Sequence, residues 1–199
     1  FYPAASFCGA HEDGQDYYTQ ADIQRLRTHG HEIGCHTFDH ANLLRLNNQE
    51  IEDQFIRNQA FFEETTKPDS FVSMAYPFGN VSPRVKKVAQ KRFPICRGVW
   101  SGVNSGMIDM ALLKVVGLDH HLTAEQTRAW IDQAQAENGW LIFVAHDIRP
   151  DHTPYGISPE RYAEIVSVVA EADIEVQTIR DAAAKAVGDP ALALAPTGT

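Results

Sequence analysis

The stretch that decides the fold is Gly30-His31-Glu32-Ile33-Gly34-Cys35-His36-Thr37-Phe38-Asp39-His40. Its first half has the pattern of a helix end followed by a short strand over residues 31–35. His36 and His40 come directly after that strand, and a helical turn between them would direct both imidazoles at one metal ion. Imidazole binds zinc, cobalt and nickel, so the pair alone does not identify the metal. Two polar histidines on a loop are the alternative interpretation.

On either side of this stretch, short apolar runs alternate with amphipathic helical patterns, which is typical of an α/β fold. Capping residues and apolar spacing predict helices that begin near residues 20, 49, 83, 124 and 159. Strands are predicted at residues 71–75, 95–100, 112–116, 140–145 and 174–178. The run 140–145 is nearly all apolar, so we expect a strand that is buried on both faces.

Length and composition indicate one domain with its own core, since the chain has 199 residues of which 44% are hydrophobic. We predict this domain over residues 1–188, followed by a flexible tail at 189–199. The net charge of −9 argues against a nucleic-acid partner, which would need clustered basic residues. Three cysteines are too few for a disulfide scaffold, and no apolar run has the length of a transmembrane segment.

The second chemical signal is His146, which follows the most apolar run of the chain. A histidine at the end of a buried strand can act as a general acid or base, with a pKa set by its neighbours. Ligands of α/β folds collect at this end of the strands. The alternative is a histidine whose hydrogen bonds are satisfied by the backbone.

The third signal is the turn Tyr76-Pro77-Phe78-Gly79, which follows a predicted strand. The restricted geometry of proline can hold a backbone N–H of such a turn toward a developing oxyanion. A plain tight turn without any catalytic role is the alternative interpretation.

Together these three segments resemble the polysaccharide deacetylase family, also described as the NodB homology domain or carbohydrate esterase family 4. The resemblance extends from about residue 4 to residue 187 and is most specific in the Gly-His-Glu-Ile-Gly stretch that runs into His36 and His40. It implies an α/β fold of the distorted or incomplete (β/α) barrel type, with a divalent metal at the carboxyl ends of the strands.

The resemblance also implies roles for individual residues. His36 and His40 match the two metal-binding histidines of the family, and Thr37 matches the small hydroxyl residue that supports the loop between them. Zinc is the expected metal, with cobalt or nickel as alternatives.

The remaining implied roles concern the acyl group and the leaving amine. Phe78 matches the residue whose backbone amide helps to hold the oxyanion, and His146 matches the histidine that protonates the amine. Val144 stands where the family has a leucine that lines the acetyl pocket. Tyr76 and Pro77, in the turn, are expected to bind substrate.

The sequence also departs from the family pattern. The Thr-Phe-Asp-Asp-Gly motif, which supplies the general base and the third metal ligand in the family, is absent, and Asp13 is a candidate to replace that ligand. Ala75 occupies the place of an arginine that orients the base, and Arg97 on the next strand is a candidate to restore the positive charge. The aspartate that tunes the acid histidine is not identifiable, although Asp109 and Asp119 are candidates.

The activity implied by the resemblance is metal-dependent removal of N-acetyl groups from a polysaccharide or oligosaccharide. Because the missing motif would precede residue 1, we expect the sequence to lack the first strand of the domain. Two alternatives stay open: a catalytically inactive glycan-binding member of the same fold, and an esterase or amidase with a different acyl substrate. A polymeric substrate favours an extracytoplasmic location, and the oligomeric state is left open.

Overall fold

The computed structural model describes residues 1–12, 14–65 and 71–189. These residues form two compact units. The first contains Phe1–Gly98, Met110–Leu112 and the residues from Gln177 onward, and the second contains Val99–Asp109 and Leu113–Val176. The predicted single domain over 1–188 stays a prediction, and all but the first residue of the predicted tail 189–199 lies outside the described residues.

Six helices are present in the described residues: α1 Gln20–Thr28, α2 Asn48–Thr65, α3 Pro83–Ala89, α4 Ala124–Ala136, α5 Pro159–Glu171 and α6 Ile179–Val187. The strands are β1 His11–Glu12, β2 Gln15–Asp16, β3 Ser73–Ala75, β4 Ile95–Ser101, β5 Leu113–Gly117 and β6 Phe143–Val144. In this part of the chain, no helix combines the length and the apolar character that crossing a bilayer requires.

The five predicted helices are confirmed as α1 to α5, and four of their starts follow from capping chemistry. Thr19 and Thr123 each form a reciprocal capping box at the start of α1 and α4. Ser82 and Ser158 cap α3 and α5, and each is followed by a proline at the first helical position. These side chains satisfy backbone N–H groups that have no partner inside the helix.

The sheet of the first unit is built on β3, which pairs in parallel with β4. On the other side of β3, the N–H of Cys35 donates to the Ser73 carbonyl and the N–H of Ala75 donates to the Cys35 carbonyl, both at 2.9 Å. Cys35 is therefore the single residue of the predicted strand 31–35 that pairs with β3. The preceding N–H, that of Gly34, donates to the Phe1 carbonyl instead (2.7 Å).

The core of the first unit lies between this sheet and the helices. The predicted apolar stripe of α2 is confirmed, because Ile51, Phe55 and Phe62 are all buried. They belong to one apolar cluster with Cys35, Met74, Tyr76, Val85 and Phe93. Packed side chains of this cluster therefore hold the carboxyl end of β3 and the backbone at Cys35 in place.

The second unit contains the end of β4, next to β5, and β5 pairs in parallel with β6. The prediction of a strand over 140–145 that is buried on both faces is wrong, because only Phe143–Val144 is a strand and both residues are half-buried. Trp140 instead bridges to Asn104 in the antiparallel sense. The apolar run is thereby divided between two pairings.

The predicted strand at 174–178 is also wrong, because this segment forms no ladder in the described residues. Thr178 instead caps α6, a helix that the sequence analysis did not predict. The start of α6 is held by Glu32, whose Oε2 accepts the backbone N–H of Arg180 (2.8 Å). The other carboxylate oxygen of Glu32 accepts the hydroxyl of Ser73. A buried carboxylate therefore joins α6 to β3.

The close approach at Gly34 provides a test of this packing. A Cβ at this position would lie 2.4 Å from Cε1 of Tyr2 and 2.7 Å from Oγ of Ser73. We expect Gly34→Ala to lower the free energy of unfolding by about 1–3 kcal/mol in urea titrations, because neighbouring side chains must shift. Gly117→Ala is the matched control, since the nearest atom there is at an ordinary 3.6 Å. Equal stability of the two variants would contradict the packing described.

Candidate active site

His36 and His40 lie together at the carboxyl end of the Cys35 bridge. Both side chains are half-buried, and their ring centroids are 4.8 Å apart. Nδ1 of His36 lies 2.8 Å from the carbonyl oxygen of Ala75, so this nitrogen carries the proton and donates it. Nε2 is then the nitrogen that carries the lone pair, as in metal-binding histidines oriented by a backbone carbonyl.

The segment between the two histidines is not the helical turn that the sequence analysis required. Residues 38–39 form a bend, and Thr37 and His40 have left-handed backbone angles (φ 64° and 51°). A β-branched residue in this region is strained, and strain of this kind is concentrated at functional sites. Thr37 is fully buried, and its Oγ1 accepts the N–H of Ala41 (3.1 Å). The role of Thr37 as the support of the metal-binding loop stays a prediction.

Gln54 of α2 holds the same loop from the core side. Its Oε1 accepts the backbone N–H groups of Phe38 (3.0 Å) and Asp39 (2.9 Å), and its Nε2 donates to Oδ2 of Asp39 (2.8 Å). The side chain is buried, so these bonds have little competition from water. One turn further along α2, the amide of Asn58 accepts the N–H of Ala5 (2.9 Å).

The turn at Phe78 adds the third predicted element of the site. Phe78 has φ 59° and ψ 6°, which is the left-handed region, within the 3₁₀ turn Pro77–Gly79. Its exposed ring lies 4.4 Å from that of His40. Its backbone N–H makes no hydrogen bond within the described residues, whereas those of Gly79 and Asn80 close the turn. The strained geometry leaves one amide available as a donor.

Tyr76 and Pro77 lie beneath this turn. The side chain of Tyr76 is 1% exposed, and its hydroxyl donates to the Ala111 carbonyl (3.1 Å). Pro77 is also buried. Their burial does not fit the prediction that they contact substrate directly. It fits a role in holding the turn of Phe78 in place.

Arg97 is directed toward Tyr2. Its guanidinium lies 4.9 Å from the centroid of the Tyr2 ring, and Nη1 donates to the Gly98 carbonyl (3.3 Å). Burial lowers the pKa of this guanidinium. Arg97 and Ala75 are register partners across β3 and β4. A role for Arg97 in place of the missing arginine stays a prediction.

The two histidines fit a divalent metal in donor type and in the orientation of His36, but they are only part of a ligand set. Within residues 1–12, 14–65 and 71–189, no group of three or more His, Cys, Asp or Glu residues is arranged to hold a metal ion. The candidate Asp13 lies outside the described residues. Cys35 is fully buried, and this burial raises the pKa of its thiol to about 12.

His146 belongs to the second unit, where it follows β6. Its side chain is 65% exposed, and its Nδ1 lies 3.0 Å from Oδ1 of Asp147. Oδ1 of Asp147 also accepts the hydroxyl of Thr153 (2.7 Å), and Oδ2 accepts the Thr153 N–H (2.8 Å) and Nε of Arg149 (3.1 Å). Burial raises the pKa of Asp147, but the bonds from Thr153 and His146 outweigh it and lower this pKa to about 2.

Val144, the candidate for the acyl pocket, is the last residue of β6. Its carbonyl accepts the N–H of Leu118 (2.7 Å), and its side chain is half-buried. It precedes His146 by two residues, so the backbone places both at the carboxyl end of β6.

Comparison with known proteins finds a matching family for one segment of the chain. The polysaccharide deacetylase family matches residues 2–92, the segment that contains both histidines and the turn at Phe78. Over this segment the chain is similar to that family. No curated protein sequence matches the chain.

Several solved structures share the fold. A family 4 acetyl xylan esterase from Clostridium thermocellum, in complex with a cobalt ion, is 20% identical, with a TM-score of 0.55 over 80% of this chain and 67% of that protein. The Xyl-CE4 domain of a multidomain xylanase from the hindgut metagenome of Trinervitermes trinervoides is 12% identical, with a TM-score of 0.57 over 85% of this chain and 71% of that one.

A polysaccharide deacetylase from Bacillus cereus is 22% identical, with a TM-score of 0.52 over 60% of this chain. The chain spans 38% of that protein. These similarities confirm the predicted α/β fold of the distorted (β/α) barrel type.

Three contributors to the site were not predicted from the sequence, namely Gln54, Asn58 and Asp147. Gln54 and Asn58 are polar residues at i and i+4 within the apolar stripe of α2, and that interruption is the signal that they support something from the core side. The sequence-based candidates are Asp109 and Asp119, whereas Asp147 is adjacent to His146 in the sequence. It is the aspartate that the structure places on the imidazole.

Removal of the Gln54 side chain tests whether its hydrogen bonds stabilise the loop between His36 and His40. We expect Gln54→Ala to lower the free energy of unfolding by about 1–3 kcal/mol, because two partly buried backbone N–H groups lose their acceptor. Hydrogen exchange at Phe38 and Asp39 should accelerate. Gln49→Ala, an exposed position on the same helix, is the control. Unchanged exchange at both amides would contradict this role.

Acid unfolding tests the bonds to Asp147. Its pKa in the folded protein lies below its ordinary value of 3.8, so the stabilisation is present above about pH 4 and is lost as the pH falls toward 2. We expect Asp147→Asn to be less stable than the wild type at pH 5 and to lose less of its remaining stability between pH 4 and pH 2. Asp151→Asn, an exposed neighbour, is the control. Parallel acid-unfolding curves for wild type and Asp147→Asn would exclude the predicted linkage.

Proposed function

We propose that this chain is a metal-dependent carbohydrate deacetylase that removes N-acetyl groups from a polysaccharide or oligosaccharide. The observation that supports it most directly is the pair His36 and His40, whose rings are 4.8 Å apart in a segment that matches the deacetylase family. The bond from His36 to the Ala75 carbonyl supports the same assignment, because it orients the ring for metal binding.

His36 and His40 would hold a divalent metal, with zinc as the first candidate and cobalt or nickel as alternatives. The related acetyl xylan esterase from Clostridium thermocellum was solved with a cobalt ion, which is compatible with this choice. A bound divalent metal polarises the acyl carbonyl and lowers the pKa of bound water. The third ligand and the general base are not assigned to any described residue.

The other assignments concern hydrogen bonds and a proton. The N–H of Phe78 is proposed to donate to the oxygen that gains negative charge, because the left-handed backbone leaves that amide without an internal acceptor. His146 is proposed to protonate the leaving amine through Nε2, while Asp147 holds its Nδ1. Val144 is proposed to line the acyl pocket. The expected location is extracytoplasmic, where polymeric carbohydrates occur.

Acetate release from oligomers of N-acetylglucosamine tests the activity. We expect the protein with added zinc or cobalt to release acetate and a chelator to abolish the release. A folded protein that releases no more acetate with metal than with chelator would contradict the proposal.

Two other outcomes correspond to the alternative functions. Oligosaccharide binding without acetate release would identify a glycan-binding member, an alternative favoured by the lack of a third ligand among the described residues. Acetate release from acetylated xylan but not from the amide would identify an esterase, the activity named for the Clostridium thermocellum relative.

Substitution of the three histidines separates their roles. We expect His36→Ala and His40→Ala to lose metal, with affinity reduced at least about tenfold. His146→Ala should retain metal and lose about 10²–10⁴-fold in turnover, the range for removal of a general acid. His29→Ala, an exposed histidine on the C-cap of α1, is the control. Equal metal content in all four variants would overturn the ligand assignment.

A further inference from the structure

The loop after His146 is closed and internally bonded. At its base, the N–H of Ile157 donates to the Asp147 carbonyl (2.9 Å) and the N–H of Arg149 donates to the Ile157 carbonyl (3.1 Å). Inside it, the Asp147 carboxylate accepts both the N–H and the hydroxyl of Thr153. These bonds restrict the loop before any ligand binds, so the side chains on it are preorganised.

Gly156 allows the loop to close this tightly. A Cβ at this position would lie 2.5 Å from Oδ1 of Asp147 and 2.7 Å from its carbonyl oxygen. A second bond, from the N–H of Gly156 to the Thr153 carbonyl (2.9 Å), closes the turn that carries Tyr155. The tip of the loop is therefore set by the same carboxylate that holds His146.

Tyr155 stands at that tip with its ring in solvent. The side chain is 73% exposed, and its ring centroid lies 6.1 Å from that of His146, at an interplanar angle of 55°. Its N–H donates to Oγ1 of Thr153 (3.3 Å). An aromatic ring that stays in water does not gain the free energy of burial. The Tyr155 ring is nevertheless held in solvent by a rigid loop beside His146, which indicates a ligand-binding position.

The surroundings of Tyr155 indicate what kind of ligand fits. The neighbouring His146 side chain is exposed and polar, so the Tyr155 ring presents an apolar face beside a hydrogen-bonding group. Protein partners need a broader apolar area than one ring. A pyranose has the complementary surface, with a small face of C–H groups surrounded by hydroxyls.

We propose that Tyr155 forms a stacking platform for a pyranose ring of the substrate, next to His146. This rests on the proposed function, which it deepens by assigning a carbohydrate-binding position to the second unit. Stacking aligns the sugar and contributes to affinity, whereas the phenol takes no part in bond breaking. Removal of the ring should therefore change binding and KM and leave kcat unchanged.

Binding of the trimer of N-acetylglucosamine, measured by calorimetry on the whole chain, tests the proposal without any need for turnover. We expect Tyr155→Ala to weaken binding about fivefold, the magnitude of one aromatic contact, and Tyr155→Phe to stay within twofold of the wild type. Met107→Ala is the control, because that side chain is fully exposed in the same unit. Thermal melting confirms that all variants are folded.

The outcomes separate this proposal from the deacetylase proposal. Loss of affinity in Tyr155→Ala with retention in Tyr155→Phe supports the platform, whether or not acetate is released. Equal affinity of Tyr155→Ala and wild type overturns it, and so does Tyr155→Phe binding as weakly as Tyr155→Ala. A wild type that does not bind the trimer at millimolar concentration also overturns it. Where acetate release is measurable, a fall in kcat with unchanged KM in Tyr155→Ala would contradict stacking.

Discussion

The geometry of the two candidate metal-binding histidines, His36 and His40, depends on the two backbone hydrogen bonds that hold Cys35 against β3. They fix the direction in which the chain leaves the sheet, and the next residue, His36, donates its Nδ1–H to the carbonyl of Ala75. Ala75 therefore uses its N–H to align the backbone and its carbonyl to orient the ring. Since backbone groups do both, the alignment needs no polar side chain at this position, where Ala75 is fully buried.

The second requirement of the pair is a loop that turns back within four residues. Thr37 and His40 reach this turn with left-handed backbone angles, which favour unfolding of the loop unless other bonds compensate. The compensation comes from α2, where Gln54 accepts two N–H groups of the loop. The helix that fills the core thus also maintains the strained segment above it.

The sequence predicted most of the fold because its signals are local. Thr19, Ser82 and Thr123 cap helices through bonds three residues away, and the stripe of α2 follows from helical spacing. The failures are non-local: Trp140 bridges to Asn104, and Thr178 begins a helix in place of ending a strand.

In the site, the residue types in the histidine pair and the turn at Phe78 were recognisable from pattern. The roles of Gln54 and Asp147 depend on partners that only the folded chain brings near.

The bond between Glu32 and Arg180 joins residues 148 positions apart. During synthesis, the family-matched segment emerges long before this partner exists, and its carboxylate must stay hydrated until α6 arrives. Because this contact joins residues far apart in the sequence, it raises the contact order of the first unit. The loop-closure entropy that it costs slows its formation. The bond from Arg180 to Glu32 can therefore form only after α6 has been synthesised. A nascent chain that stops before residue 180 exposes the Glu32 carboxylate, which the folded protein buries.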